Sequence, residues 1–434
     1  MEIHKYDPTF PEDNKTRVLA INADGSINFA PAYTSATAFA IDQAGRQRMS
    51  LPIPLGDYKL INDRLPLFFD TEVIGTGAVS YDTVKKAHDM TTGANSDAAI
   101  VQTFMTHNYF AGKAQFVEFT SFDFDNETNI TKRSGYFSSN EVTPFDSNKD
   151  GFFIETDGTT HYLVITRDGT EHTKIAQADW NDSLDGNGAS GITIDWAKFN
   201  VFQANFLWLG GTGLTISIVV GKAIYEIVNY IHANGTNADN LIFASPNKPI
   251  RHEIRQSGAG SGQFKPVCST VASEGSSDSA NIGSIRAVNS GSAPITCATA
   301  GTEYVIKAIK LKDAYKDTTI DVLDLDVFAN SANDAFLWKI SLNPTLSAPL
   351  TYSNVTDSAI QEADGDGVIT SSGGYEIASG YVSSNSTLAK ALDSARKLGS
   401  TIDGTRDQIV LTVTGLTGET NVASFGSINY KEFV

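Results

Sequence analysis

Apolar and polar residues alternate along this chain far more often than apolar residues recur at helical spacing, and that pattern narrows the folds open to it. Gln115-Phe116-Val117-Glu118-Phe119-Thr120 and Thr160-His161-Tyr162-Leu163-Val164-Ile165-Thr166 show the alternation. It turns one face of a segment to a core and the other to solvent, as in a strand. Asn205–Leu209 and Leu214–Val220 flank Gly210-Gly211-Thr212-Gly213, the pattern of a hairpin. Ile224–His232 reads as a strand, because β-branched and aromatic residues dominate it and it follows directly on the hairpin. Similar runs return at 304–311, 319–327, 336–342 and 408–413. Only Val84–Met90 and Ser386–Leu398 suit a helix. The second spaces Leu388, Leu392 and Ala395 three to four apart and stops at Gly399.

Strands spaced by roughly 10–15 residues, with Gly, Asn and Asp turns between them, predict antiparallel sandwiches. The expected fold class is all-β: a tandem antiparallel β-sandwich with an extended N-terminal arm. Residues 1–60 carry Pro8, Pro11, Pro31, Pro52 and Pro54 without regular periodicity and read as the arm. Residues 61–275 form a central jelly-roll or concanavalin-like sandwich. Residues 276–301, rich in Ser, Gly, Ala and Asn, read as a connector. Residues 302–434 form a second C-terminal β-sandwich.

Charge limits the partners. The chain has 32 Lys and Arg against 50 Asp and Glu, a formal net charge of −18. That balance argues against nucleic acid and against an anionic membrane surface as partners. No apolar stretch is long enough for a transmembrane helix. Met1–Pro8 lacks the charged-then-apolar pattern of a secretion signal, so synthesis in the cytoplasm is expected and the Asn-x-Ser/Thr triplets read as compositional. Cys268 and Cys297 have no ligand spacing and read as two buried free thiols.

Three segments could carry chemistry. Asp123-Phe124-Asp125-Asn126-Glu127 would align three carboxylates if it were a strand. Retaining glycosidases of the concanavalin-like group use such a triplet, but with Glu at both outer positions, and Asp123 falls about one methylene short. The plainer alternative is an acidic strand end facing solvent. Asp146-Ser147-Asn148-Lys149-Asp150-Gly151 opens like a calcium loop, with Asp146, Asn148 and Asp150 as ligands and Asp157 in place of the usual Glu. The alternative there is an Asx/Gly turn. Asp364-Gly365-Asp366-Gly367 is a weaker version. Trp180, with Asp182 and Asp185 in the following loop, could stack on and hydrogen-bond a glycan, or Trp180 could simply anchor the loop. No cofactor other than Ca2+ suggests itself. No pair of the seven His has metal-ligand spacing, and no Gly-x-Ser-x-Gly elbow or P-loop is present.

Stretches in a fixed order give a resemblance to a family of virion structural proteins of tailed bacteriophages and large DNA viruses. They include Leu55-Gly56-Asp57-Tyr58-Lys59, Thr131–Phe137, Gln177–Trp180, Leu184–Trp196, Leu207–Gly210 and Ser245–Ile254. Ser273-Glu274-Gly275, Leu342–Thr345, Leu398–Ile402 and Gly426–Glu432 complete the order. Gly213–Ser217 departs from the pattern. The resemblance implies a non-enzymatic capsid, head-fibre or tail component in the virion. Its expected partners are capsid, portal or tail subunits, further copies of itself (perhaps as a trimer) and a host surface glycan. The alternatives are a carbohydrate-binding lectin module or a concanavalin-like glycoside hydrolase.

Overall fold

The computed structural model describes residues 52–434 apart from 146–147, 222, 236–237, 276–282, 331–334, 385, 393–396 and 434. Before residue 52 it describes only β1 (Ala20–Ile21) and β2 (Ile27–Asn28), which pair antiparallel. The chain divides into two units, Met1–Leu51 and Pro52–Val434. Everything below concerns the second. Of the arm expected over residues 1–60, the part before residue 52 lies almost wholly outside the described residues.

The described residues contain no α-helix. Fifteen strands build the central sandwich: β3 (Ile53–Lys59), β4 (Phe69–Ile74), β5 (Ala78–Asp82), β6 (Ala87–Thr92), β7 (Ala98–Thr103), β8 (Gln115–Phe122), β9 (Ile130–Ser139), β10 (Lys149–Thr156), β11 (His161–Arg167), β12 (Thr170–Ala176), β13 (Asn200–Leu207), β14 (Gly213–Val220), β15 (Ala223–Ile231), β16 (Ile250–Gln256) and β17 (Gly262–Ser273). One sheet has the order β12-β11-β10-β9-β16-β7-β4. The other runs β15-β14-β13-β8-β17-β6-β5, with β3 also on β17. Every pairing is antiparallel.

Alternation sets the core. In β13, Asn200, Phe202, Ala204 and Phe206 are buried while the residues between them are half-exposed. The three apolar ones join Val117, Phe119 and Phe264 of the same sheet and Tyr136 and Phe152 of the facing sheet in one core cluster. The aromatic pairs, such as Phe119–Phe202 at 5.7 Å and Phe152–Phe206 at 5.6 Å, add to the burial of apolar area. Four histidines are buried neutral among them. His161 stacks on Trp196 at 3.8 Å, His107 lies between Tyr58 Oη and the Lys248 carbonyl, and His252 meets Ser134 Oγ. His88 packs on the Phe69 ring. Burial pulls His88 and His252 down to about 3. It pulls His107 and His161 down to about 4, against hydrogen bonds to the Lys248 and Phe124 carbonyls.

The outer face of the β9–β10–β16 region carries a buried ionic layer. Glu253 takes Lys149 at 2.9 Å, Arg251 at 2.6 Å and Arg133 at 3.0 Å, and Arg133 continues to Glu155 at 2.6 Å. Burial raises the Glu253 carboxyl, but these cations outweigh it and hold it far below the usual carboxylate range.

The C-terminal sandwich has its own core around Ile309, Leu325, Trp338, Leu411 and Ile428. Its first sheet joins Ser284–Asn289, Val422–Phe433, Thr319–Ala329 and Thr387–Ala391, with Ile295–Cys297 also on Val422–Phe433. Its second joins Ser353–Asn354, Ile360–Ala363, Glu303–Leu311, Gln408–Gly415, Phe336–Leu342 and Tyr375–Val382.

Several boundaries differ from those read in the sequence. Ile53–Lys59, placed in the arm, is a strand of the central sandwich. The connector supplies Ser284–Asn289 and Ile295–Cys297 to the second sandwich, because both satisfy the long strand Val422–Phe433. Neither helical candidate is a helix over its described residues, which leave out 393–396 of the second. Ala87–Thr92 pairs with Ala78–Asp82, and Thr387–Ala391 pairs with Thr319–Ala329. Cys268 and Cys297 form no disulfide, and Cys297 is buried while Cys268 is half-buried.

The two sandwiches are tied through polar contacts. Arg406 forms a bidentate pair with Glu141 at 2.7 and 3.0 Å. Ile402 N donates to Asp70 Oδ2 at 2.7 Å, and Asn247 Nδ2 donates to the Asp317 carbonyl at 2.8 Å.

Candidate functional site

The acidic triplet does not share a strand face. The chain leaves the sheet at Phe122, and Asp123 takes a positive φ of 55° in the turn toward β9. Lys132, fully buried on β9, donates to the Asp123 carbonyl at 2.6 Å, to Glu127 Oε1 at 2.6 Å and to Asp125 Oδ1 at 3.4 Å. Lys85 meets Asp123 Oδ2 at 3.1 Å. The carboxylates are gathered on lysine ammoniums and serve to tie the turn.

The calcium-loop residues are spread along a strand. Asp146 lies outside the described residues, Asn148 just precedes β10, Asp150 is on it and Asp157 just follows it. At about 3.3 Å per residue, Asp157 is roughly 23 Å from Asp150. Asp150 binds Lys248 Nζ at 2.5 Å and accepts from Ala244 N at 2.9 Å. Asp157 caps the β10–β11 turn through Thr159 N at 2.9 Å and Thr160 N at 3.0 Å. Asp364 pairs with Lys307 at 2.9 Å. Among the described residues, no group of three His, Cys, Asp or Glu side chains is placed to hold a metal ion.

Trp180 belongs to the core. It is 6% exposed, packs edge-on to Trp196 and donates Nε1–H to the Ile175 carbonyl at 3.0 Å. Its face is not free to stack on a sugar. Asp182 is buried as well and accepts from Ser190 N at 2.7 Å and Leu184 N at 3.2 Å, which shapes the loop. Asp185 is exposed and accepts from Ser183 Oγ and Asn187 N.

A different feature at one end of the central sandwich has the makings of a binding site. Three turns surround an open depression of about 730 Å³. The β11–β12 turn contributes Arg167 and Asp168, the latter at a positive φ of 44°. The β13–β14 turn contributes Leu209, Gly210 and Gly211, and the segment after β15 contributes His232, Asn234, Asp239, Asn240 and Leu241. The turns brace one another. Ile242 N donates to the Gly210 carbonyl at 3.1 Å, and His232 N donates to the Thr212 carbonyl at 3.2 Å. Trp208 anchors its turn by donating Nε1–H to the Phe243 carbonyl at 3.1 Å. Asp150, with Lys248, holds the floor through Ala244 N. Gly211 cannot be replaced cheaply, since a Cβ there would sit 2.4 Å from His232 Cδ2.

The depression pairs exposed carboxylates and amides, Asp168, Asn234 and Asp239, with two exposed leucines, Leu209 at 56% and Leu241 at 42%. Polar groups beside an apolar patch are the requirements for holding a hydroxylated ring. In sequence Gly210–Gly213 reads only as a turn, and Asn234 to Leu241 carries no motif. The Asn and Asp density of that second stretch was the available signal.

No protein-family model and no curated protein matches the chain. Solved structures similar to it include the β-glucanase of Bacillus licheniformis, at 11% identity and a TM-score of 0.32, covering 51% of this chain and 98% of that one. Lectin I-B4 of Griffonia simplicifolia is similar at 11% identity and a TM-score of 0.31, covering 52% and 99%. A glycoside hydrolase family protein of Mycobacterium thermorestibile is similar at 10% identity and a TM-score of 0.34, covering 50% and 99%. None of them assigns a residue in this chain.

Proposed function

We propose that the chain is a non-enzymatic binding protein that takes a neutral saccharide in the depression at the end of its central sandwich. The observation that carries this reading is the convergence of Asp168, Asn234 and Asp239 with Leu209 and Leu241 around one open, braced surface. Side-chain carboxylates and amides accept and donate to sugar hydroxyls, while the leucines cover the apolar face of the ring. Two carboxylates against the single guanidinium of Arg167, and the chain's net charge of −18, favour a neutral sugar over an acidic one. The ordered resemblance to virion structural proteins supports a setting on a virus particle, where such a surface would contribute to host attachment.

A glycan array with the full chain tests the binding. A neutral glycan should be retained, and the combined Asp168→Ala, Asn234→Ala and Asp239→Ala variant should lose it. An array on which folded protein retains nothing, or retention that survives the triple change, would overturn the reading. The protein inventory of purified particles tests the setting, and absence from particles would remove it.

A further inference from the structure

We propose that His172, Tyr230 and His232 hold a transition-metal ion of the Zn2+ class, which clips together the two sheets of the central sandwich at their edges. His172 is on β12, the last strand of one sheet, while Tyr230 and His232 are on and just after β15, the last strand of the other. His172 Nε2 lies 3.0 Å from Tyr230 Oη and 3.2 Å from His232 Nδ1, and the third side of the triangle, Tyr230 Oη to His232 Nδ1, is 3.4 Å. Ligand atoms around a tetrahedral zinc, each about 2.0–2.1 Å from the metal, stand about 3.3 Å apart. The trio therefore has the dimensions of one face of such a site.

The protonation pattern agrees. His232 Nε2 lies 2.7 Å from the Asn240 carbonyl, which can only accept, so Nε2 carries the hydrogen and Nδ1 presents its lone pair to the cluster. A backbone carbonyl on the far nitrogen is the arrangement that orients metal-bound imidazoles. Without an ion the tautomer of His172 decides which close contact is a hydrogen bond, and one of the three is left over. A cation satisfies all three at once.

Two imidazoles and a phenol oxygen suit Zn2+, Co2+, Ni2+ or Cu2+ and not the oxygen-seeking Ca2+ or Mg2+. A fourth position is left to water. The phenol oxygen completes a set that His, Cys, Asp and Glu alone do not form among the described residues. His232 also lines the depression, but this inference does not depend on a bound sugar.

Cobalt titration of tag-free full-length protein tests it. About one Co2+ per chain should bind with the intense visible absorption of a tetrahedral ion, and Zn2+ should displace it. His172 is half-exposed on an edge strand, so His172→Ala should fold. It should lose the absorption and bind Zn2+ about a hundred-fold more weakly. Tyr230→Phe should shift the cobalt spectrum and keep part of the affinity. Zn2+ should raise the Tm of the unaltered chain and leave that of His172→Ala unchanged. Absence of cobalt absorption and zinc uptake in folded protein, or uptake that survives His172→Ala, would overturn the proposal.

Discussion

Mild acid should destabilise the central sandwich while leaving the C-terminal sandwich almost untouched. All seven histidines lie at or before residue 252, so the second sandwich has none. His88, His107, His161 and His252 are each 1–2% exposed in the first. Their folded pKa values, about 3 to 4, lie below the ordinary imidazole value of about 6.5. For a group whose folded pKa is depressed, the stabilisation is present above the unfolded pKa and is lost as pH falls toward the folded pKa. The unfolded chain binds the protons first. Between about pH 6.5 and pH 5, each imidazole then costs about 1.6 kcal/mol and the four together about 6 kcal/mol. That is comparable with the whole stability of many domains. For a sandwich of this size it corresponds to a fall in Tm of about 15 °C. Asp70 and Glu72, raised by burial, work in the opposite sense and trim the fall.

Differential scanning calorimetry of the metal-free chain across this range provides the assay. One transition should move and the other should stay, which gives an internal control. His88→Leu should remove about a quarter of the slope. It should also gain about 1 kcal/mol at neutral pH, because neither ring nitrogen of His88 has a hydrogen-bond partner among the described residues. A central transition flat between about pH 7 and pH 5 would mean that these imidazoles meet water or protons in the folded state, and the buried-neutral account would fail.

Two further outcomes follow from the ion pairs. Lys132→Met strands Glu127 and the Asp123 carbonyl, and should cost about 3 kcal/mol, read as a lower Tm of the central transition. Arg406→Met removes the bidentate pair with Glu141 between the sandwiches. It should lower the earlier of the two calorimetric transitions by about 2–3 kcal/mol and leave the later one in place, whereas an unshifted earlier transition would show that the contact does not couple them.

The strand content of this chain was legible because alternation is a local signal. Hairpin residues 205–209 and 214–220 correspond to β13 and β14, and Ile224–His232 to β15. Residues 304–311, 319–327, 336–342 and 408–413 likewise fall on strands of the second sandwich. Ser386–Leu398 misled because spacing of three to four says nothing about an open neighbour. Thr319–Ala329 offered a ladder, and backbone pairing prevailed over periodicity. The acidic triplet failed as a face because the chain turns at Asp123, and Trp180 failed as a platform because Trp196, far along the loop, covers it. The depression and the His172–Tyr230–His232 trio combine residues from separate hairpins. No single window of sequence holds them, and only the pairing order of the sheets brings them together.

The loop that begins at Trp180 has one more consequence. β15 ends its sheet and exposes Ile224 and Ile231 at 61% and 69%. A bare strand of that kind templates the addition of another chain and can grow into aggregates. Here Asp182 N donates to the Ile227 carbonyl, and Asn229 N donates to Asn181 Oδ1. The loop occupies hydrogen-bonding positions at Ile227 and Asn229, in the second half of the strand, and so shortens the free edge that a foreign strand could use.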